Sequence, residues 1–231
     1  MTPRRSAERT VRGPTPESVR AVHAGLVRAR GRPPRQRRGD PLDCLIGTLL
    51  SQNTTGANSR AAFAELKRRF PTWQACLQAP TEAVIAAINC AGLARTRGPR
   101  IQAVLARIRH DQGELTLDAL HETDSALAMT YLQSLPGVGP KTAACVLLFA
   151  CRRQVFPVDT HVARIAVRLG WAAEGASPER IQERLEPLVP PALRYPLHVN
   201  LIAHGRLVCR AGRPRCAECV VREHCATGRR Q

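Results

Sequence analysis

The sequence predicts an all-α protein, on three observations. Apolar residues recur at intervals of three and four along most of the 231 residues, and no period-2 run of β-branched residues persists. Aromatic residues make up only 3% of a chain that is 44% hydrophobic, so the core is built from Leu, Val, Ile and Ala, a mixture that favours helices. That length and apolar content suffice for one large domain or two smaller ones.

Each element follows from its residues. Residues 1 to about 14 are polar, rich in Arg and Pro and aperiodic, which predicts a disordered basic tail. Val19, Val22, Leu26 and Val27 mark a short amphipathic helix, and GRPPRQRRGD at 31–40 reads as a basic linker. Leu42, Leu45, Ile46, Leu49 and Leu50 stripe the next helix, and residues 61–70 form another. Thr81 is the expected N-cap of a helix running to about Cys90. Ile101, Val104, Leu105 and Ile108 give a further stripe. A helix pair at 126–135 and 141–151 flanks a tight turn. Val162, Ile165, Ala166 and Leu169 define one more face, and Ser177-Pro178-Glu179 opens a helix with a cap residue and a first-turn proline. No segment repeats another.

Thirty-five basic residues against 18 acidic ones give a net charge of +17 and a pI near 11.1. An excess of that size concerns partners rather than fold, and nucleic acid is the commonest polyanion. A membrane surface is the competing partner, but no segment pairs a basic face with a Trp- or Phe-rich one. All but two of the basic residues are Arg, so Lys67 and Lys141 stand out where a generic positive charge is written as Arg. No apolar run follows the first arginines, and the longest apolar stretch, 143–151, is about half a membrane span. The expected location is cytoplasmic and nucleoid-associated, and the Arg-rich start is also compatible with an organellar address. In a reducing compartment, clustered cysteines hold metal more often than they form disulfides.

Three motifs carry chemistry. Cys209, Cys216, Cys219 and Cys225 are separated by six, two and five residues, close enough for four thiolates to meet at one centre. On ligand type alone zinc and an iron–sulfur cluster both suit such a set. The single CxxC knuckle departs from zinc ribbons, which usually show two. Arg210, Arg213 and Arg215 lie inside the first interval, where a metal would stiffen a loop of positive charge. The other five cysteines, at 44, 76, 90, 145 and 151, are scattered at helical positions and read as small apolar residues.

Second is LPGVGPKTA at 135–143. Gly137 and Gly139 around one apolar residue allow a hairpin whose backbone N–H groups all face outward. With the dipole of the following helix they would grip a phosphate oxygen without reading sequence. Third is Val158-Asp159-Thr160-His161. Asp159 is a favoured N-cap for the helix that follows as well as a candidate catalytic carboxylate. His161 reads as a helix-surface or core residue.

In this order, LPGVGPKTA, PVDTH with its Asp 18 residues after the motif lysine, and the four-cysteine loop resemble the endonuclease III family, from about residue 16 to 226. The resemblance implies a two-lobed helix-hairpin-helix glycosylase fold. A six-helix domain would span 34–153, and an iron–sulfur cluster domain would combine 15–33 with 154–231. Damaged double-stranded DNA would lie across the cleft between the lobes, bound by a monomer, with phosphate contacts making affinity fall steeply with salt. The implied cofactor is a [4Fe–4S] cluster on Cys209, Cys216, Cys219 and Cys225.

The implied activity is that of a bifunctional DNA glycosylase and abasic-site lyase in base excision repair. It would excise oxidised pyrimidines and cleave abasic sites by β-elimination. By position Lys141 is the nucleophile and Asp159 the carboxylate that stabilises charge on the sugar. A lysine amine attacks when neutral, which desolvation and neighbouring cations favour, and Lys141 opens an apolar helix on a basic protein. Reaching the sugar requires flipping the nucleotide. The gap would be filled by Asn53, or Gln52, from LLSQNTTG and by Leu93 from AGLAR. Here Gln52-Asn53 replaces an Ala-Gln pair and Gly56 an Asp usual in the family. Gly137, Gly139 and Arg213 would complete the DNA contacts. Two other readings stand beside this one. A weakly active or non-catalytic DNA-binding paralogue would bind without cleaving. An adenine mismatch glycosylase would usually lack the lysine and carry a further recognition domain.

Overall fold

The computed structural model describes residues 13–34 and 37–230. The tail expected at 1–14 lies, up to residue 12, outside the described residues, as do two positions of the basic linker, 35 and 36. The described residues carry eleven α-helices, several short 3₁₀ turns and no strand. No described helix is long and apolar enough to cross a membrane. The all-α expectation is met.

Contacts divide the chain into two compact units, one of Arg35–Pro157 and one of Met1–Pro34 with Val158–Gln231. The first holds α2 (Pro41–Ser51), α3 (Gly56–Arg69), α4 (Trp73–Gln78), α5 (Thr81–Ala87), α6 (Ala94–Gln112), α7 (Ser125–Ser134) and α8 (Pro140–Phe149). Its centre is α8, in which Thr142 to Leu148 are all buried, packed between α2 and α7. On α2 all five stripe residues, Leu42, Leu45, Ile46, Leu49 and Leu50, are buried as their spacing predicts. Asp40 begins that helix by accepting the N–H groups of Leu42 (2.7 Å) and Asp43 (3.0 Å).

One polar network in this unit explains the first of the two lysines. Asp43 Oδ1 accepts from the indole N–H of Trp73 at 2.8 Å and from Lys67 Nζ at 3.2 Å, while Lys67 Nζ lies 4.5 Å from the Trp73 ring centroid. The carboxylate joins α2, α3 and α4 through one oxygen. Removing it strands the buried indole donor. Asp43→Ala is expected to destabilise by about 1–3 kcal/mol in a urea melt.

The second unit holds α1 (Pro16–Arg30), α9 (Thr160–Leu169), α10 (Pro178–Leu185) and α11 (Pro191–Leu207). Helix α11 packs on α1 and α9, and α9 on α10. The stripe Val162, Ile165, Ala166 and Leu169 is buried throughout.

Three elements depart from expectation, the first being the six-residue α4, which no stripe announces. Helix α11 was not foreseen. It carries an internal Pro196, and its buried residues include His198, Asn200 and His204, so its inner face is not an apolar stripe. Asn200 is satisfied by donating to the Gly31 carbonyl at 3.2 Å, just past the end of α1. Thr81 is not an N-cap. Pro80 occupies that position, and the Thr81 hydroxyl donates instead to Gln102 Oε1 at 2.8 Å. The helix it opens ends at Ala87 and gives way to a 3₁₀ turn at Asn89–Ala91.

Candidate functional site

The hairpin occupies the five residues between α7 and α8. Val138 is buried and donates its N–H to the Leu135 carbonyl at 3.1 Å. The expectation that every N–H of the hairpin faces outward therefore needs correction, because one is used to close the turn. Gly137 and Gly139 are exposed on either side of that bond. Gly139 is the N-cap of α8 and offers no side-chain acceptor, so the amides of the first turn have no side-chain cap. Gly137 has φ +73°, and a Cβ there would stand 2.5 Å from Arg100 Cδ. The position demands glycine both for its torsion and for its neighbour. It also brings the Arg100 guanidinium of α6 onto the hairpin, a cation that motif reading did not single out.

Lys141 is the second residue of α8 and is half-buried. Its neighbour Thr142 is the one buried polar residue of this helix, and its hydroxyl accepts from Gln52 Nε2 at 3.3 Å. This contact ties the start of α8 to the loop between α2 and α3. Within that loop the Gln52 amide is thus engaged, whereas the next residue, Asn53, is exposed at φ +50°. Leu93, before α6, is also left-handed, at φ +52°, and is 60% exposed. Both loops belong to the unit that contains the hairpin.

Asp159 belongs to the other unit. Its carboxylate caps α9, accepting from the Val162 N–H at 2.8 Å, and it remains half-buried. His161 is packed against Gly205 of α11, where an added Cβ would come within 2.9 Å of the imidazole Nδ1. Burial lowers its pKa, against the opposing charge of Asp159, and Arg164 approaches its Nδ1 at 3.1 Å. These contacts make it a packing residue, as its sequence context suggested.

Cys209, Cys216, Cys219 and Cys225 line one small cavity together with Arg168, Thr227 and Gly228. N–H groups of Arg168 and Gly228 point at two of the sulfurs, and the Cys225 thiol donates in turn to the Arg168 carbonyl at 3.1 Å. Arg168 Nη1 lies 3.2 Å from Cys209 Sγ, the Gly228 amide 3.3 Å from Cys225 Sγ, and His204 Nε2 3.5 Å from Cys219 Sγ. Burial raises the Cys219 thiol pKa, and the other three cysteines raise it further. Four thiolates gathered this way repel one another unless a positive centre lies among them. Among the described residues no three His, Cys, Asp or Glu side chains are grouped as ligands of a metal ion.

Sequence reading missed Arg168 and His204. Arg168 also donates to the carbonyls of Arg210 (2.6 Å) and Ala211 (2.7 Å), holding the loop that presents Arg213, which is exposed. Arg215 is paired with Glu218, at 2.6 and 2.5 Å, and so offers a partner less free charge than its position in the loop suggested. His204 is 1% exposed, and burial takes its pKa down to about 4, which keeps the ring neutral beside the cysteines.

Comparison with known proteins assigns the class. The model of the HhH-GPD superfamily base excision DNA repair protein matches residues 46–191, a stretch that contains the hairpin, Lys141 and Asp159 and ends before the four-cysteine loop at 209–225. The chain is 34% identical over 192 residues to endonuclease III of Thermotoga maritima, covering 83% of this chain and 85% of that protein. It is 40% identical over 166 residues to a candidate DNA glycosylase of Arabidopsis thaliana, covering 72% of this chain and spanning 57% of the plant protein's length. A solved structure of a trapped endonuclease III–DNA covalent intermediate matches with a TM-score of 0.78 at 25% identity, over 94% of this chain and 98% of that one. The chain belongs to the endonuclease III family, and its fold and relatives make it a DNA glycosylase of base excision repair.

Proposed function

We propose that this glycosylase is bifunctional, excising oxidised pyrimidines from double-stranded DNA and cleaving the abasic site by β-elimination. The observation that carries the reading is Lys141 itself. It is a lysine in a chain that writes its other cations almost entirely as Arg, half-buried at the uncapped start of α8, directly after the exposed hairpin. In this reading the hairpin amides and Arg100 hold a phosphate of the lesion strand. The Lys141 amine attacks C1′ of the flipped nucleotide and the damaged base leaves with the glycosidic electron pair. The attacking nitrogen then gives up a proton and the C1′–O4′ bond breaks, its electron pair leaving on the O4′ oxygen, which takes up a proton. The open-chain Schiff base so formed acidifies the C2′ proton, and loss of that proton expels the 3′ phosphate. Asp159 stabilises the positive charge that grows on the sugar and assists proton transfer. Leu93 and Asn53 fill the space left in the stack, and the engagement of Gln52 with Thr142 favours Asn53 over Gln52 for that task.

The cysteine-lined cavity suits a [4Fe–4S] cluster. Its four cysteines are the thiolate set that such a cluster takes, and N–H donors face the sulfurs of Cys209 and Cys225. Cys209, Cys216, Cys219 and Cys225 would hold it, and its role is to stiffen the loop carrying Arg213, since elimination needs no electron transfer. Stripping the iron by oxidation and chelation is expected to lower the melting temperature and to open the 209–225 loop to protease. DNA affinity should fall with it. Iron-free protein that melts and cleaves like the original would refute a structural cluster.

Borohydride trapping tests the activity. The protein is incubated with labelled duplex carrying one thymine glycol or one abasic site, and a covalent adduct is expected on both. An adduct on the abasic duplex alone would restrict the protein to lyase action on that pair of substrates. No adduct on either, with DNA binding intact, would refute the Schiff-base step and leave a monofunctional glycosylase or a non-catalytic binding protein, which an assay of base release tells apart.

A further inference from the structure

Arg97 lies in the first turn of α6 and is 4% exposed, yet among the described residues it has no carboxylate partner. Its acceptors are backbone carbonyls. Nη1 donates to those of Ala91 and Gly92, at 2.7 Å each, and Nη2 donates to that of Gln52. Burial works against the charge on this guanidinium, and so does neighbouring Arg100. A buried cation kept without a counter-ion needs a reason beyond packing.

The identity of the acceptors supplies one. The Gln52 carbonyl belongs to the peptide bond that leads into Asn53, and the Gly92 carbonyl to the bond that leads into Leu93. Asn53 and Leu93 are two of only three described non-glycine residues with positive φ, the third being Arg152. A left-handed backbone is disfavoured for a residue with a Cβ and persists where its surroundings impose it. Leu93 is held in that conformation with its apolar side chain in water, so neither torsion nor hydration favours its pose. One planar fork thus grips the peptide before each of the two exposed tips, 40 residues apart in sequence. A lysine has no such fork, because its donors radiate from a single atom.

We infer that Arg97 is a positioning residue that presets Asn53 and Leu93 as a pair, so that both enter the duplex together when the nucleotide leaves the stack. The inference rests on the reading of those two residues as gap fillers. Its consequence is selective: the clamp matters where a stack has to be opened and is irrelevant where none exists.

The test compares single-turnover cleavage of one abasic site in a duplex and in the same strand alone, for the wild type, Arg97→Lys and Arg97→Met. Fluorescence of a 2-aminopurine placed beside the site reports unstacking on binding without requiring catalysis. Arg97→Lys is expected to lose at least tenfold on the duplex, with a matching loss of the fluorescence rise, and to stay within twofold of wild type on the single strand. Arg97→Met should lose more on the duplex. Should it fail to fold, Arg97→Lys decides alone. Equal losses on both substrates, or no loss on either, would overturn the inference. Asn53→Ala and Leu93→Ala separate it from the reading beneath it. If both leave the duplex-to-single-strand ratio and the fluorescence unchanged, the gap-filling assignment fails and the inference falls with it. If the wild type cleaves neither substrate, the lyase reading fails, and the fluorescence rise on intact duplex still decides for or against Arg97.

Discussion

Lys141→Ala is expected to give no borohydride adduct and no β-elimination product, a loss of more than about 10³-fold that reaches the detection limit in a single-turnover assay. The methyl group cannot form the imine, so no amount of enzyme restores the elimination. DNA binding should be nearly unchanged, because one of 35 basic charges is removed. Folding should also hold within about 0.5 kcal/mol, since Lys141 is not part of the buried run that begins at Thr142. Lys141→Arg is the sharper variant. It keeps the charge beside the hairpin and the length of the side chain, but a guanidinium stays protonated and cannot act as the nucleophile. If charge at the start of α8 were all that mattered, arginine would serve, as it does at nearly every other basic position of this chain. A trapped adduct with either variant would remove Lys141 from the role assigned to it.

What was legible in the sequence follows from how local each feature is. The stripes of α2 and α9 are buried residue for residue because every member points at apolar partners. Helix α11 escaped because its inner face includes His198, Asn200 and His204, polar groups accommodated only in the folded unit, as the Asn200–Gly31 bond shows. Helix α4 has six residues, too few to display a period. The residue type of Thr81 suits a cap, whereas its actual partner, Gln102, lies 21 positions away and is invisible to local spacing.

The site divides along the same line. The hairpin and Asp159 stand in contiguous motifs, so residue type and spacing expose them. Arg97, Arg100 and Arg168 act through contacts with segments distant in sequence, and in an Arg-rich chain nothing marks them out beforehand. Lys67 shows the limit of reasoning from rarity. It is as unusual as Lys141, and its contacts with Asp43 and the Trp73 ring give it a structural task.

Asp159 presents the harder separation, because the structure gives it a structural duty as well as a proposed chemical one. Its Oδ1 caps α9 through the Val162 N–H. Any substitution that removes the oxygen therefore damages the helix start in addition to whatever chemistry is lost. Asparagine resolves the ambiguity, since its side-chain oxygen caps a helix about as well as a carboxylate does. Asp159→Asn is expected to melt within about 0.5 kcal/mol of wild type in urea while single-turnover excision falls by roughly 10²–10⁴-fold. Asp159→Ala should show the same kinetic loss together with about 1 kcal/mol of lost stability. The two variants thus place the carboxylate's charge and its hydrogen bond on different axes. Full activity in Asp159→Asn would mean that the residue serves α9 alone, and the stabilisation of the sugar cation would have to be sought in another group. Equal stability of Asp159→Ala and wild type would show instead that the cap contributes nothing measurable, leaving charge as the whole of its function.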